Sequence, residues 1–343
     1  MNAYKKITKL SPFIASQNLG DYIIDDYCSQ ILNSIFEDSF NVVISTADRL
    51  SELSRSHIAT ADYSFVCGTN LLASHMNKNK LWNVSIADAI RIFLCKVPRK
   101  SYLKRNVMER AWEQHKVILF GVGWWQYQDA PDFYTKALLK MMLSPKYLHA
   151  VRDSYTQKMM NLCGFENVIN TACPTMWKLT PEHCKRIPQN KAKEVVTTLT
   201  SYNTNPELDD YLLKVLLSQY EKVYVWLQAI EDYDQIQNSP YADKVVCIAP
   251  TLKAYDAFLR SKEVDYIGTR LHGGIRALNY GKRALIIGVD NRAIEISKDT
   301  DLPVIPRDDI EKKLEKMLRD GWDTNIRLPQ ENIDRWKKQF MHE

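Results

Sequence analysis

Short apolar runs of strand type alternate with helical patterns along almost the whole chain, and few folds accommodate that alternation. In the first half the runs are Asn41 to Ile44, Tyr63 to Cys67, Lys116 to Gly121 and Leu148 to Val151. In the second half they are Glu194 to Leu199, Lys222 to Leu227, Lys244 to Ile248, Val264 to Thr269 and Arg283 to Gly288. Helical patterns lie between them. Tyr22 to Phe36 keeps Ile23, Ile24, Tyr27, Ile31, Leu32 and Ile35 on one broad face, and Glu207 to Gln219 and Thr251 to Arg260 read the same way. Strand–helix repetition of this kind predicts parallel sheets covered on both faces, an α/β fold of doubly wound, Rossmann-like type. At 343 residues the chain exceeds one ordinary core, so two such domains are expected. They are placed at residues 1–185 and 194–325, with the Lys/Pro/Asn-rich stretch Lys185 to Lys193 as linker and a C-terminal helix in 326–343 that can pack back on the first domain. A cleft between two such domains is the default ligand site.

Composition narrows the function classes. A 45% hydrophobic and 25% charged chain is that of an ordinary soluble globular protein. A net charge of +5 with the two signs interspersed carries no nucleic-acid footprint and is compatible with anionic substrates. The seven cysteines have no paired spacing, and Cys67, Cys95 and Cys247, inside apolar runs, read as free, buried thiols of a reducing compartment. With the histidines also scattered, no metal site is expected. Met1 to Leu10 carries lysines without an apolar core, and no span of about eighteen apolar residues occurs, so neither a standard secretion signal nor a membrane crossing is expected.

The chemistry concentrates in Asp265-Tyr266-Ile267-Gly268-Thr269-Arg270-Leu271-His272-Gly273-Gly274, where a strand gives way to a helix that Gly281 stops. Arg270 is a fixed cation and His272 a ring that titrates near neutrality. If the strand continues through them, they point the same way. The following helix, read as beginning at Gly273, offers free N–H groups to an anion. The plainer alternative is a snorkelling Arg270, a capping His272 and a glycine turn.

Five further segments carry candidate residues. Asn18-Leu19-Gly20-Asp21 opens the first helix, where Asp21 can bind sugar hydroxyls or simply cap. Val66-Cys67-Gly68-Thr69-Asn70 and Phe120-Gly121-Val122-Gly123-Trp124-Trp125 are glycine loops at strand ends, the second with aromatics suited to stack on a sugar ring. Gln126 breaks the full dinucleotide fingerprint. Val151-Arg152-Asp153 ends a strand with a cation that can hold a carboxylate or phosphate bidentately, or pair with Asp153. In Gly288-Val289-Asp290-Asn291-Arg292-Ala293-Ile294-Glu295, Asp290 and Glu295 can orient Arg270 or His272, or cap a helix.

Three of these elements together resemble the polysaccharide pyruvyl transferase family over nearly the whole length: Asn18-Leu19-Gly20-Asp21, then Val151-Arg152-Asp153 followed by Gly164, then Gly268-Thr269-Arg270-Leu271-His272-Gly273 followed by Gly281. The resemblance implies two Rossmann-like domains facing a cleft, as in GT-B glycosyltransferases. It implies transfer of pyruvate from phosphoenolpyruvate to two hydroxyls of a sugar, in a cell-envelope polysaccharide or exopolysaccharide or its lipid-linked precursor, with a ketal formed and phosphate released. Arg270 and His272 are then catalytic, and Arg152, Arg270, Gly273 and Gly274 bind the donor. Asn18, Asp21, Asn70, Trp124, Asp290, Arg292 and Glu295 bind the acceptor or support the site. Phosphoenolpyruvate is a co-substrate, no cofactor, metal or nucleic acid is involved, and the action is cytoplasmic, with room for peripheral contact at the inner face of the membrane. The chain departs from the family pattern at Ala172-Cys173-Pro174-Thr175, where many members have Asp-Pro-Ala, and at Gly68-Thr69, where a Gly-Gly is usual. Both departures bear on the acceptor more than on the donor. A nucleotide-sugar glycosyltransferase of GT-B type uses the same cationic logic on a diphosphate and is the alternative; a binding protein that has lost activity is a third reading.

Overall fold

The structure, a computed structural model, describes residues 4–46, 50–76 and 115–341. Cys95 lies outside them. The chain divides into two compact units, Met1–Ala15 with Cys28–Thr171 and Gln330–Glu343, and Ser16–Tyr27 with Ala172–Pro329.

In the first unit the strands are β1 (Lys5–Ser11), β2 (Ser39–Ser45), β3 (Tyr63–Cys67), β4 (Val117–Val122), β5 (His149–Val151) and β6 (Val168–Asn170). They form a wholly parallel sheet in the order β2-β1-β3-β4-β5-β6. Every residue of β3 and β4 is buried, as in a sheet covered on both faces. Sequence reading passed over β1 because Lys5, Lys6 and Lys9 interrupt its apolar residues, yet Ile7 and Leu10 are fully buried in the interior of the sheet. The C-terminal helix, Gln330–Lys338, belongs to this unit. Its Trp336 stacks on Phe120 at 4.4 Å, and Phe340 beyond it meets Phe36, Tyr63 and Phe65.

The second unit holds β7 (Glu194–Thr197), β8 (Lys222–Trp226), β9 (Val246–Ile248), β10 (Val264–Gly268), β11 (Ala284–Gly288) and β12 (Val304–Pro306). All pairs are parallel, in the order β12-β11-β10-β7-β8-β9. Side chains alternate between two cores. Val196, Tyr224, Trp226, Tyr266, Ala284 and Ile286 face one, while Val195, Val223, Val225, Ile267, Leu285 and Ile287 face the other. Counted from β9, this is the 3-2-1-4-5-6 order of a doubly wound sheet, whose winding reverses between β7 and β10.

Three readings from sequence change here. The boundary at 185–194 moves earlier: the second unit begins again at Ala172, and Cys184 and Ile187 belong to its core, so Lys185 to Lys193 is not a free linker. The segment Ser16–Tyr27, taken as first-domain sequence, belongs to the second unit, where Ile23 and Tyr27 join the core and Asp26 pairs with the buried Arg276 at 2.9 Å. Cys247 is exposed, because β9 is the outermost strand and leaves Val246 and Cys247 uncovered. Among the described residues no helix is long and apolar enough to cross a membrane.

Candidate active site

β10 ends at Gly268, and Arg270 takes the N-cap position (φ −92°, ψ 106°) of the helix Leu271–Asn279. The strand therefore does not continue through the motif, and His272 is the second residue of the helix rather than a strand neighbour of Arg270. The helix also starts earlier than Gly273. A hydroxyl network fixes this junction. Tyr266 OH donates to Arg270 O at 2.7 Å, Arg270 N–H donates to Thr198 Oγ1 at 3.2 Å, and Thr198 Oγ1 lies 2.6 Å from Tyr266 OH. Thr198 follows β7, so the network bridges β7 and β10 where the winding reverses, the position at which open α/β sheets bind ligands.

The Arg270 side chain is 4% exposed and held on every side. Nε donates to Leu199 O at 2.9 Å, Nη1 to Asn18 Oδ1 at 3.3 Å, and Nη2 to Ser201 Oγ at 3.3 Å and to Asp232 Oδ1 at 2.5 Å. Asp232 is itself locked: its carboxylate accepts from the backbone N–H groups of Gln228 (3.0 Å), Ala229 (3.2 Å) and Ser201 (3.3 Å). A guanidinium has five N–H donors, and these four bonds leave one on Nη1. Arg270 takes its carboxylate from Asp232, not from Asp290 or Glu295. Asp232 was missed by sequence reading, although an acid at the third position of the helix Ile230–Gln237 is a visible capping signal.

His272 is 7% exposed, with Nε2 3.7 Å from Cys173 Sγ. Gly274 is required by packing: a Cβ there would lie 2.7 Å from Ile286 Cγ1 and 2.8 Å from Tyr266 Cε1, so the helix rests flush on the sheet. Its N–H closes the first helical bond onto Arg270 O at 3.2 Å. Gly274 therefore has no amide to give an anion, and the amides of Leu271, His272 and Gly273 are those the first turn leaves outside the helical ladder.

Asn18 joins this site through Arg270 and holds Gly20 N–H on the same Oδ1 at 3.1 Å. Asp21, in the next turn, accepts from Ser16 Oγ at 2.6 Å. Burial raises its pKa, and Ser16 and the charges of Arg292 and Arg270 pull it back. Asp290 caps the helix Asn291–Thr300 and pairs with Arg292 Nη2 at 2.5 Å. Burial opposes the charge on Arg292, but Tyr202 and Asp290 outweigh it and raise the pKa. Arg292 also donates to Tyr202 OH, and the Tyr202 ring lies 5.1 Å from the Arg270 guanidinium and 5.6 Å from that of Arg292. Glu295 accepts from Lys298 at 2.6 Å. Among the described residues, no three His, Cys, Asp or Glu side chains converge as metal ligands.

Residues 18–291, which span all of these side chains except Ser16, Arg292, Glu295 and Lys298, match the family model for polysaccharide pyruvyl transferase. The chain belongs to the polysaccharide pyruvyl transferase family. No curated protein matches it. Among solved structures, that of UDP-GlcNAc 2-epimerase from Neisseria meningitidis bound to UDP-GlcNAc is similar at 12% identity and a TM-score of 0.40, over 99% of this chain and 94% of that one.

The transferase carries its other candidate residues in the first unit. Arg152 follows β5, is buried, and donates from Nε to Asp153 Oδ2 at 3.2 Å. Its guanidinium occupies the space a side chain at Gly123 would need, with Cζ 2.0 Å from the position of a Cβ. Asp153 caps the helix Ser154–Leu162 through Thr156 N–H at 2.6 Å. Asn70 follows β3 and is half-buried. Trp124 is fully buried, its Nε1 donating to Gln128 Oε1 at 3.2 Å, so it is a core residue and no stacking surface. Its neighbour Trp125, 45% exposed, is the aromatic open to solvent.

Proposed function

We propose that this transferase moves pyruvate from phosphoenolpyruvate to two hydroxyls of a sugar in a polysaccharide or its precursor, forming a ketal and releasing phosphate. The observation that carries the reading is Arg270, clamped by Asp232 at the winding reversal of the second sheet with His272 two residues along. Phosphoenolpyruvate brings a carboxylate and a phosphate. The remaining Nη1 donor of Arg270, the amides of Leu271 to Gly273 and the guanidinium of Arg292 offer complementary contacts. Arg152 is a donor contact by resemblance to the family.

The reaction forms two C–O bonds and one C–H bond, and it breaks the bond between the enol carbon and the phosphate oxygen. Two hydroxyl protons are released; one goes to the methylene carbon and one leaves with phosphate. His272 serves as the general acid that protonates carbon, a task suited to an imidazole near its own pKa. In this reading Asp21, whose burial raises its pKa, accepts a hydroxyl proton from the sugar. Arg270, fixed before the reaction begins, stabilises the departing phosphate without reorganising, the kind of preorganised charge that contributes most to such steps. In this reading the enzyme works in the cytoplasm, on a precursor at the inner face of the membrane.

A thermal-shift titration with phosphoenolpyruvate beside UDP, GDP and UDP-sugars tests the proposal, because a ligand of the folded state raises Tm by mass action. Phosphoenolpyruvate should raise Tm in the native protein and not in Arg270→Ala. A shift with UDP or a UDP-sugar, and none with phosphoenolpyruvate, would replace the reading with a glycosyltransferase.

A further inference from the structure

Cys173 is 1% exposed and sits just before the short turn Pro174–Met176 in the second unit. Two side chains converge on its sulfur. Thr175 Oγ1 donates to Sγ at 3.1 Å, and His272 Nε2 lies 3.7 Å from Sγ. The backbone is bent to bring the sulfur there: Ala172, a buried residue without the freedom of glycine, holds φ at 57°, in the left-handed region. Strain retained in a buried turn beside reactive groups points to a constraint other than packing.

We infer that Cys173 is the positioning residue of His272, a thiol that shares one proton with the imidazole along the Sγ–Nε2 line. A thiol hydrogen directed at Nε2 fixes the tautomer with the other proton on Nδ1; transfer of that hydrogen gives a thiolate beside an imidazolium, with the Thr175 hydroxyl bond favouring the charged sulfur. Either way the sulfur of Cys173 bears directly on the protonation state of His272. The consequence rests on the pyruvyl-transfer reading. That reaction passes two protons through the site, and a ring coupled to a second titratable group can give one and take the other without waiting for solvent. No bond to sulfur is made or broken, and Cys173 acts through His272.

Histidine-selective 15N NMR of the full-length protein, with the His272 signals assigned by their loss in His272→Gln, tests the pair directly. The native protein should show His272 in one tautomer or charged state. In Cys173→Ala the ring nitrogens should shift towards a tautomer mixture, and in Cys173→Ser, which keeps a donor at the same place, they should stay nearer the native pattern. In turnover with phosphoenolpyruvate, Cys173→Ala should lower kcat about tenfold or more with little change in KM, and Cys173→Ser should recover part of it. Identical His272 signals in the native, Ala and Ser proteins would overturn the inference, as would a native kcat in Cys173→Ala. A normal NMR response in a protein that never turns over phosphoenolpyruvate would remove the transfer reading and leave the pair standing.

Discussion

Arg270 and Asp232 are both almost fully buried, so each is costly without the other. Asp232→Ala leaves a guanidinium without its counter-charge and three backbone N–H groups without their acceptor. It should destabilise the protein by about 3–5 kcal/mol, the cost of breaking a buried pair, which urea unfolding measures. Arg270→Lys keeps the charge but loses the fork that reaches Leu199, Asn18, Ser201 and Asp232 at once. Phosphoenolpyruvate affinity and turnover should fall together, because an ammonium cannot reproduce that geometry. His272→Ala should behave differently. Donor binding should persist by calorimetry while turnover drops by roughly 10²–10⁴, the usual contribution of a positioned acid or base. The sequence marked Arg270-Leu271-His272 as the candidate site. It did not mark the partners of that motif, because Asp232 and Cys173 lie far from it in the chain and only the fold brings them beside it.

At the scale of elements, nearly every strand could be read from its apolar run, since β3, β4, β10 and β11 are buried on both faces and so carry no alternation to confuse. The strands that escaped were β1, masked by lysines, and the three-residue β6 and β12. The role of Gly274 was also misread, because a requirement for close packing looks in sequence like a requirement for anion binding. Gly274→Ala should therefore lift the helix from Ile286 and Tyr266, lowering Tm despite the better helix propensity of alanine, with an overpacking cost of about 1–3 kcal/mol. His149 in β5 joins two neighbouring segments. Its Nδ1 accepts from Leu119 N–H at 3.1 Å and its Nε2–H donates to Ser144 O at 2.9 Å. Full burial lowers its pKa from 6.5 to about 4. A depressed folded pKa means that the unfolded chain binds the proton first, so this contribution is whole above pH 6.5 and is lost as pH falls through about 4. The loss is on the order of 3 kcal/mol. The stability difference between the native protein and His149→Phe, measured by urea unfolding, should shrink across that window; a difference independent of pH would show that His149 is not buried neutral.

The molecule as a whole divides its candidate functional residues between two doubly wound units. Sequence order suggested that Asn18 and Asp21 belonged with the first of them, but the chain returns Ser16–Tyr27 to the second, where Asn18 touches Arg270 across 252 positions of sequence. One unit thus holds Arg270, His272, Asn18, Asp21, Asp290 and Arg292, while Arg152 and Asn70 stand at the strand ends of the other. No local pattern announces such a crossing, because the helix Leu19–Ile35 reads as one uninterrupted amphipathic segment. The account predicts that the grouped residues act on one small anion and on the hydroxyls it is joined to. Mass spectrometry of a panel of diol-bearing glycans incubated with phosphoenolpyruvate tests that most directly. One acceptor should gain the mass of a single pyruvyl ketal with release of equimolar phosphate, and the gain should vanish with His272→Ala. A glycan that gains a sugar from a nucleotide-sugar donor instead, with phosphoenolpyruvate untouched, would contradict it.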